Sequence, residues 1–178
     1  MAAGPTYDLI TSYTVSGTST FSVTFNSLGS YTDLLIVTSH AGNYPSNDRT
    51  QMDIRFNGDT SNSYSYFEIY GYDPTAVATQ VNDTDRQYFG LLPLGPSSSV
   101  QKNQTIMRIL NYTNSSYVKT FLRRSTQMNN SNNTPQTSFS GGRWNNTNAI
   151  TSITIFEYSL LYYFYAGTTI NLYGIKAA

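Results

Sequence analysis

Apolar and polar residues alternate with a period of two along most of this chain. That one pattern excludes most folds. A strand turns successive side chains to opposite faces, so alternation marks a segment half-buried in a sheet. Phe21, Val23 and Phe25 alternate with Ser22 and Thr24. Met52, Ile54 and Phe56 alternate with Asp53 and Arg55, and Tyr64, Tyr66, Glu68 and Tyr70 with Ser65, Phe67 and Ile69. Ile153 and Ile155 oppose Ser152 and Thr154, and Ile170 and Leu172 alternate with Asn171 and Tyr173. Leu34, Leu35, Ile36 and Val37 are apolar on both faces, which predicts a central strand with Leu35 and Val37, like Phe21, largely buried. Further strands are expected over 87–92, 105–111 and 117–125. A short turn at 74–79 aside, no stretch carries a helical period with caps. About ten short strands with polar, turn-rich breaks between them predict an all-β antiparallel sandwich or barrel.

The breaks fall at 41–48, from Asp73-Pro74, at 93–99 and at 129–135. Each is rich in Asn, Ser, Gly or Pro, the residues that turn a chain. Asn57-Gly58 is the strongest hairpin signal. None of the breaks is long enough to read as an interdomain linker. With 178 residues, the expectation is one sandwich domain over 7–178, preceded by a flexible arm over 1–6.

Only 11% of residues are charged, against roughly 25% in an average globular chain. Asn, Ser and Thr make up about a third of it, and Tyr occurs 16 times. Solubility rests on amides and hydroxyls. The formal net charge is zero, so no long-range field draws in nucleic acid or an anionic membrane. The absence of cysteine removes disulfides, thiolate metal sites and a Cys nucleophile. The N-terminus has neither the basic nor the apolar region of a secretory signal.

Catalytic chemistry finds few candidates. His40 is the one histidine and reads as structural or surface. Asp83 and Asp85, or Asp59 after Asn57-Gly58, could offer oxygens to calcium, but a solvated loop and a type I′ turn explain them as well. Asp53 and Glu68 could face each other across a hairpin as a glycosidase pair. An outward-facing pair near Arg55 is the plainer reading. Lys119, Arg123 and Arg124 form the densest positive cluster, split between two strand faces. Gly141-Gly142-Arg143 reads as a turn and not a phosphate loop. No cofactor or metal is expected, and no enzymatic activity.

The segment Phe156, Glu157, Tyr158, Ser159, Leu160, Leu161, Tyr162, Tyr163, Phe164, Tyr165 is the least ordinary. One strand face cannot bury so many large side chains. Tyr158, Leu160, Leu161, Tyr162, Tyr163, Phe164 and Tyr165 are therefore expected to form an oligomer interface, within a homotrimer. A two-faced buried hairpin is the alternative.

Five motifs, in order, resemble a known group of proteins. They are Tyr7-Asp8-Leu9-Ile10, Tyr31-Thr32-Asp33-Leu34, Arg55-Phe56-Asn57-Gly58-Asp59 with Ser63-Tyr64-Ser65-Tyr66 following, Ile109-Leu110-Asn111-Tyr112, and the two closing strands. Together they resemble the β-sandwich (jelly-roll) proteins of bacteriophage virions, of the head-decoration (cement) or tail-fibre-tip type. The resemblance implies a jelly roll with a virion setting. A chain of this length with no shaft or coiled-coil stem tilts the expectation to a cement protein on the capsid surface. Its partners would be the major capsid protein and further copies of itself. Ala2, Ala3, Gly4, Pro5 and Thr6, ahead of the first strand, are the expected capsid contact. The alternative is a tail-associated receptor-binding protein whose Tyr- and Asn-rich loops recognise host surface glycans.

Overall fold

A computed structural model describes residues 6–17, 20–43, 49–72, 74–93, 102–129 and 134–176. It is all-β: no helix occurs among the described residues, and residues 75–79, expected as a turn, are extended. Fourteen strands follow in order: β1 (Tyr7–Thr14), β2 (Ser22–Phe25), β3 (Asp33–His40), β4 (Gly42–Asn43), β5 (Arg49–Phe56), β6 (Tyr64–Tyr72), β7 (Thr75–Thr84), β8 (Gln87–Pro93), β9 (Asn103–Leu110), β10 (Lys119–Asn129), β11 (Thr134–Trp144), β12 (Ile153–Glu157), β13 (Tyr163–Phe164) and β14 (Thr169–Ile175).

The strands form two main antiparallel sheets. One has eight strands in the order β1-β14-β3-β9-β10-β11-β6-β7, the other four in the order β2-β12-β5-β8. The interleaving of β1, β14, β3 and β9 over β2, β12, β5 and β8 is the double Greek key of a jelly roll. Two inserted hairpins widen one sheet only. β6–β7 lies in sequence between β5 and β8, and β10–β11 between β9 and β12; together they extend the larger sheet beyond β9.

The core lies between the sheets. Val23, Phe25, Leu34, Ile36, Ile54, Phe56, Ile109, Ile153, Ile155, Ile170 and Leu172 are all buried there. The rings of Phe56, Phe121, Tyr64 and Trp144 close one end, Phe56 lying 5.8 Å from Trp144 edge-on. Gly142 is required beside them: a Cβ there would come within 2.5 Å of the Phe121 ring.

Three readings of the sequence need correction. Asn57-Gly58 does have the paired positive φ of a type I′ turn (53° and 64°), but it does not join a hairpin. β5 and β6 belong to different sheets, and the turn launches the crossover between them. The Asn57 side chain ties it instead to the β12 approach, accepting from the Thr151 and Ser152 amides and donating to the Ala149 carbonyl. Leu35 and Val37 are half-buried, as is Phe21; Leu34 and Ile36 face the core while Leu35 and Val37 face outward. Gly141-Gly142-Arg143 is no turn but lies within β11.

Candidate functional site

The mismatch in sheet width decides what is left exposed. Four strands cannot cover eight, so the β10-β11-β6-β7 extension keeps open surface on both sides.

On its outward side, side chains of neighbouring strands fall into rows. Opposite residues share a face: Leu122 faces Gly141, and Gly141 faces Phe67. In the next row Ile106 meets Arg124, Arg124 meets Phe139, and Phe139 meets Ile69. Phe67, Ile69, Leu122 and Phe139 are 48%, 51%, 62% and 60% exposed, a contiguous apolar patch with no cover from the described residues. Gly141, with no side chain, leaves a hollow of about 450 Å³ among them, bordered also by Ile106, Arg108 and Arg124.

On the inward side, beyond β8, lies a polar groove. Tyr66, Glu68 and Tyr70 of β6, Tyr88 and Leu91 of β8, Gln51 of β5 and Gln136 of β11 line a space of about 240 Å³. Glu68 and Arg123 pair at its floor, buried. Arg123 also donates to Ser140 Oγ at 2.9 Å and lies over the Tyr88 ring at 4.6 Å. Burial raises the Tyr66 hydroxyl to about 12, so it stays a donor at all ordinary pH.

The expected acidic pair is not one. Asp53 and Glu68 are both buried rather than outward-facing, and Glu68 is paired with Arg123, not Arg55. Asp53 accepts from Gln51 Nε2 at 2.6 Å, while its other oxygen has no hydrogen bond and lies 4.0 Å from Arg86. Desolvation pushes its carboxyl up to about 7, against the pull of Gln51, Arg86 and Arg55. Asp59 runs the other way. Burial opposes its ionisation, yet hydrogen bonds from Ser61, Trp144 and Ser63 hold it at about 2. Asp85 pairs with Arg55 and Arg86. No group of three metal-ligating side chains occurs among the described residues.

His40 is fully buried. Its Nε2 donates to the Leu91 carbonyl at 3.1 Å, and its Nδ1 shares a 2.8 Å hydrogen bond with Thr38 Oγ1. Desolvation lowers its pKa to about 4. Of the positive cluster, Arg123 and Lys119 point inward and are buried, and Arg124 points outward. Lys119 is held by the carbonyls of Asn114, Tyr117 and Thr147.

The expected interface segment divides. Tyr158, Leu160 and Leu161 are 52%, 56% and 71% exposed. Tyr162, Tyr163 and Tyr165 are half-buried. Phe164 is fully buried, because β13 pairs with β4 and bridges Thr20, which turns its ring into the core. The segment is also not a hairpin between the closing strands, which lie in different sheets. The buried Glu157 carboxylate organises its tip, accepting from Thr50, Ser159 and the amides of Leu161 and Tyr162. Ala2, Ala3, Gly4 and Pro5 lie outside the described residues; Thr6 is exposed.

Sequence reasoning missed both open faces of the extension. A signal for the outer one was present: Phe67 and Ile69 alternate in phase opposite to Tyr64 and Tyr66, so both faces of β6 carry large side chains.

The fold and these surfaces define a jelly-roll β-sandwich with two open faces on its extension. No family model matches the chain, and no curated protein matches it. Among solved structures it is similar to the CBM2 module of the evolved Dit of Lactobacillus casei BL23 phage J-1. The identity is 9%, with 99% of this chain and 81% of that chain covered, at a TM-score of 0.30. A likeness so loose carries nothing about function.

Proposed function

We propose that this chain is a bacteriophage head-decoration protein, which binds the outside of the capsid and braces it by bridging neighbouring capsomers. The virion setting comes from the ordered sequence motifs. The observation that carries the binding role is the uncovered outer face at Phe67, Ile69, Leu122 and Phe139. So much contiguous apolar surface on a rigid sheet suits a standing protein contact better than free solvent. Area buried only in the assembled shell stabilises that shell by mass action.

A second reading has its own support. Tyr66, Tyr70 and Tyr88 with Gln51, Gln136 and Glu68 supply the rings and hydrogen-bonding groups that a sugar needs. A tail-associated receptor-binding protein would use that groove on a host glycan.

One experiment separates the two. Purified protein is added to heads lacking it and, separately, to host cells before phage. Decoration predicts greater thermal stability of the heads and no block of adsorption. Inhibition of adsorption at concentrations that leave head stability unchanged would overturn it in favour of the glycan reading.

A further inference from the structure

We propose that the Gly141 hollow is a docking socket for an acidic segment of a different protein, which inserts an apolar side chain and sets carboxylates against Arg124 and Arg143. The identity of that protein as the capsid shell rests on the decoration role above; the chemistry of the socket does not.

The hollow has the shape of a socket. Gly141 lies mid-strand, where glycine weakens a sheet and often marks close approach of another group. Its neighbour Gly142 has such a group in the Phe121 ring. Gly141 has none: a Cβ there meets Leu122 Cδ2 at an ordinary 3.6 Å. The space above it is open, and Phe67, Leu122, Phe139 and Ile69 surround it.

The charge selects the occupant. Outward positions on β9, β10, β11 and β6 include Arg108, Arg124 and Arg143, and no carboxylate. Arg108 pairs with Asp33 at 2.6 Å. Arg124 and Arg143 make no ion pair among the described residues, though Arg124 sits between Ile106 and Phe139 in an apolar row. An unpaired guanidinium inside an apolar surface favours a partner that brings a carboxylate to it.

A second copy of this chain does not meet that need. Two outer faces together would oppose arginines. Among the described carboxylates nearly all are already engaged or buried. Asp8, Asp33, Asp85 and Glu68 already pair with cations of the same chain. Asp53 and Glu157 are buried, and Asp59 is engaged by Ser61, Ser63 and Trp144. Among the described carboxylates only Asp83 is left uncommitted. Among the described residues a second copy thus offers one exposed carboxylate, Asp83, against Arg124 and Arg143 of each face, and a foreign, acidic segment fits the charge better.

The test uses the whole protein, labelled for NMR, and two soluble probe peptides. One carries leucine and phenylalanine between aspartates; the other has lysines in place of the aspartates. The acidic peptide should move the amide resonances of Leu122, Phe139 and Gly141, and the lysine peptide should not. Gly141→Leu, which fills the hollow without a backbone clash, should abolish the response while leaving the melting temperature near that of the wild type. Arg124→Glu should weaken acidic-peptide binding roughly tenfold, as expected for reversal of a contacting charge. Equal binding of the two peptides overturns the proposal, as does a response that Gly141→Leu leaves intact. Stronger capture by anionic vesicles than by the acidic peptide, lost in the same variants, also overturns it. Occupancy on heads lacking the protein separates this from the decoration role. If the acidic peptide binds but wild-type protein does not occupy heads, the decoration role fails and the socket stands. If wild type, Gly141→Leu and Arg124→Glu occupy heads equally, the socket fails and decoration stands.

Discussion

Two buried titratable side chains give this protein an unusual acid profile. Asp53 is pushed up to about 7 by desolvation, so the folded state holds its proton where the unfolded chain, near 3.8, has released it. Between those values the native state binds more protons, and stability falls as pH rises. His40 works in the opposite sense. Its pKa is about 4 when folded and 6.5 when unfolded, so the unfolded state binds more protons there and stability rises with pH. From about pH 4 to 6.5 the two effects offset one another. In Asp53→Asn only the histidine effect remains. The urea midpoint of that variant should climb between pH 4 and 6.5 and then level. The wild type should stay flatter over the same span and decline from pH 6.5 to 7. Each unit of pKa shift corresponds to about 1.4 kcal/mol, so the divergence is measurable. Parallel profiles for the two proteins would show that Asp53 does not carry the shift assigned to it.

At the scale of elements, alternation located the strands because the spacing of faces is a local property of extended backbone. It could not say which face would be covered. β3 carries Leu34 and Ile36 on one side and Leu35 and Val37 on the other, all apolar, yet only the first pair is fully buried. Coverage depends on the opposing sheet, which packs on one side of the larger sheet and leaves the other side bare. For the same reason the outer patch on β6, β10 and β11 was invisible as a site. Asn57-Gly58 misled because turn chemistry fixes a local chain reversal, not the sheet that the next strand joins. The buried Arg123–Glu68 pair lies beyond any one-strand pattern, since its partners come from β10 and β6 with β11 between them. The projecting tip, by contrast, was partly legible: three large side chains there do remain exposed. Its order depends on Glu157, for which the sequence pattern gave no role. Glu157→Ala should cost about 1–3 kcal/mol through donors left without their acceptor. Amide exchange at Leu161 and Tyr162 should accelerate more than in the core strands. Uniform change across the protein, with no extra loosening at those two amides, would contradict a local role.

The whole molecule presents two apolar surfaces of different character. The tip at Tyr158, Leu160 and Leu161 follows β12, in the four-stranded sheet; the Gly141 hollow lies on the outer face of the eight-stranded one. They differ in charge as well as place. The hollow is bordered by Arg124, which has no ion pair among the described residues, and this disfavours its meeting its own copy. At the tip the nearest cation, Arg86, lies over the Tyr158 ring and is already paired with Asp85, so like-charge repulsion is less of an obstacle. We therefore expect self-association through the tip and hetero-association through the hollow. Sedimentation of three proteins decides it. Wild type should sediment as a homotrimer. Leu161→Asp, a change at a side chain 71% exposed, should sediment as a folded monomer, because a charge placed in an apolar contact carries a desolvation cost. Gly141→Leu should remain a trimer. Phe164→Asp is uninformative here, since it would place a charge in the core and unfold the β13 region. A monomeric wild type removes the trimer altogether. A Gly141→Leu protein that falls to monomers would make the hollow the self-contact, and would leave the tip without the assembly role given to it.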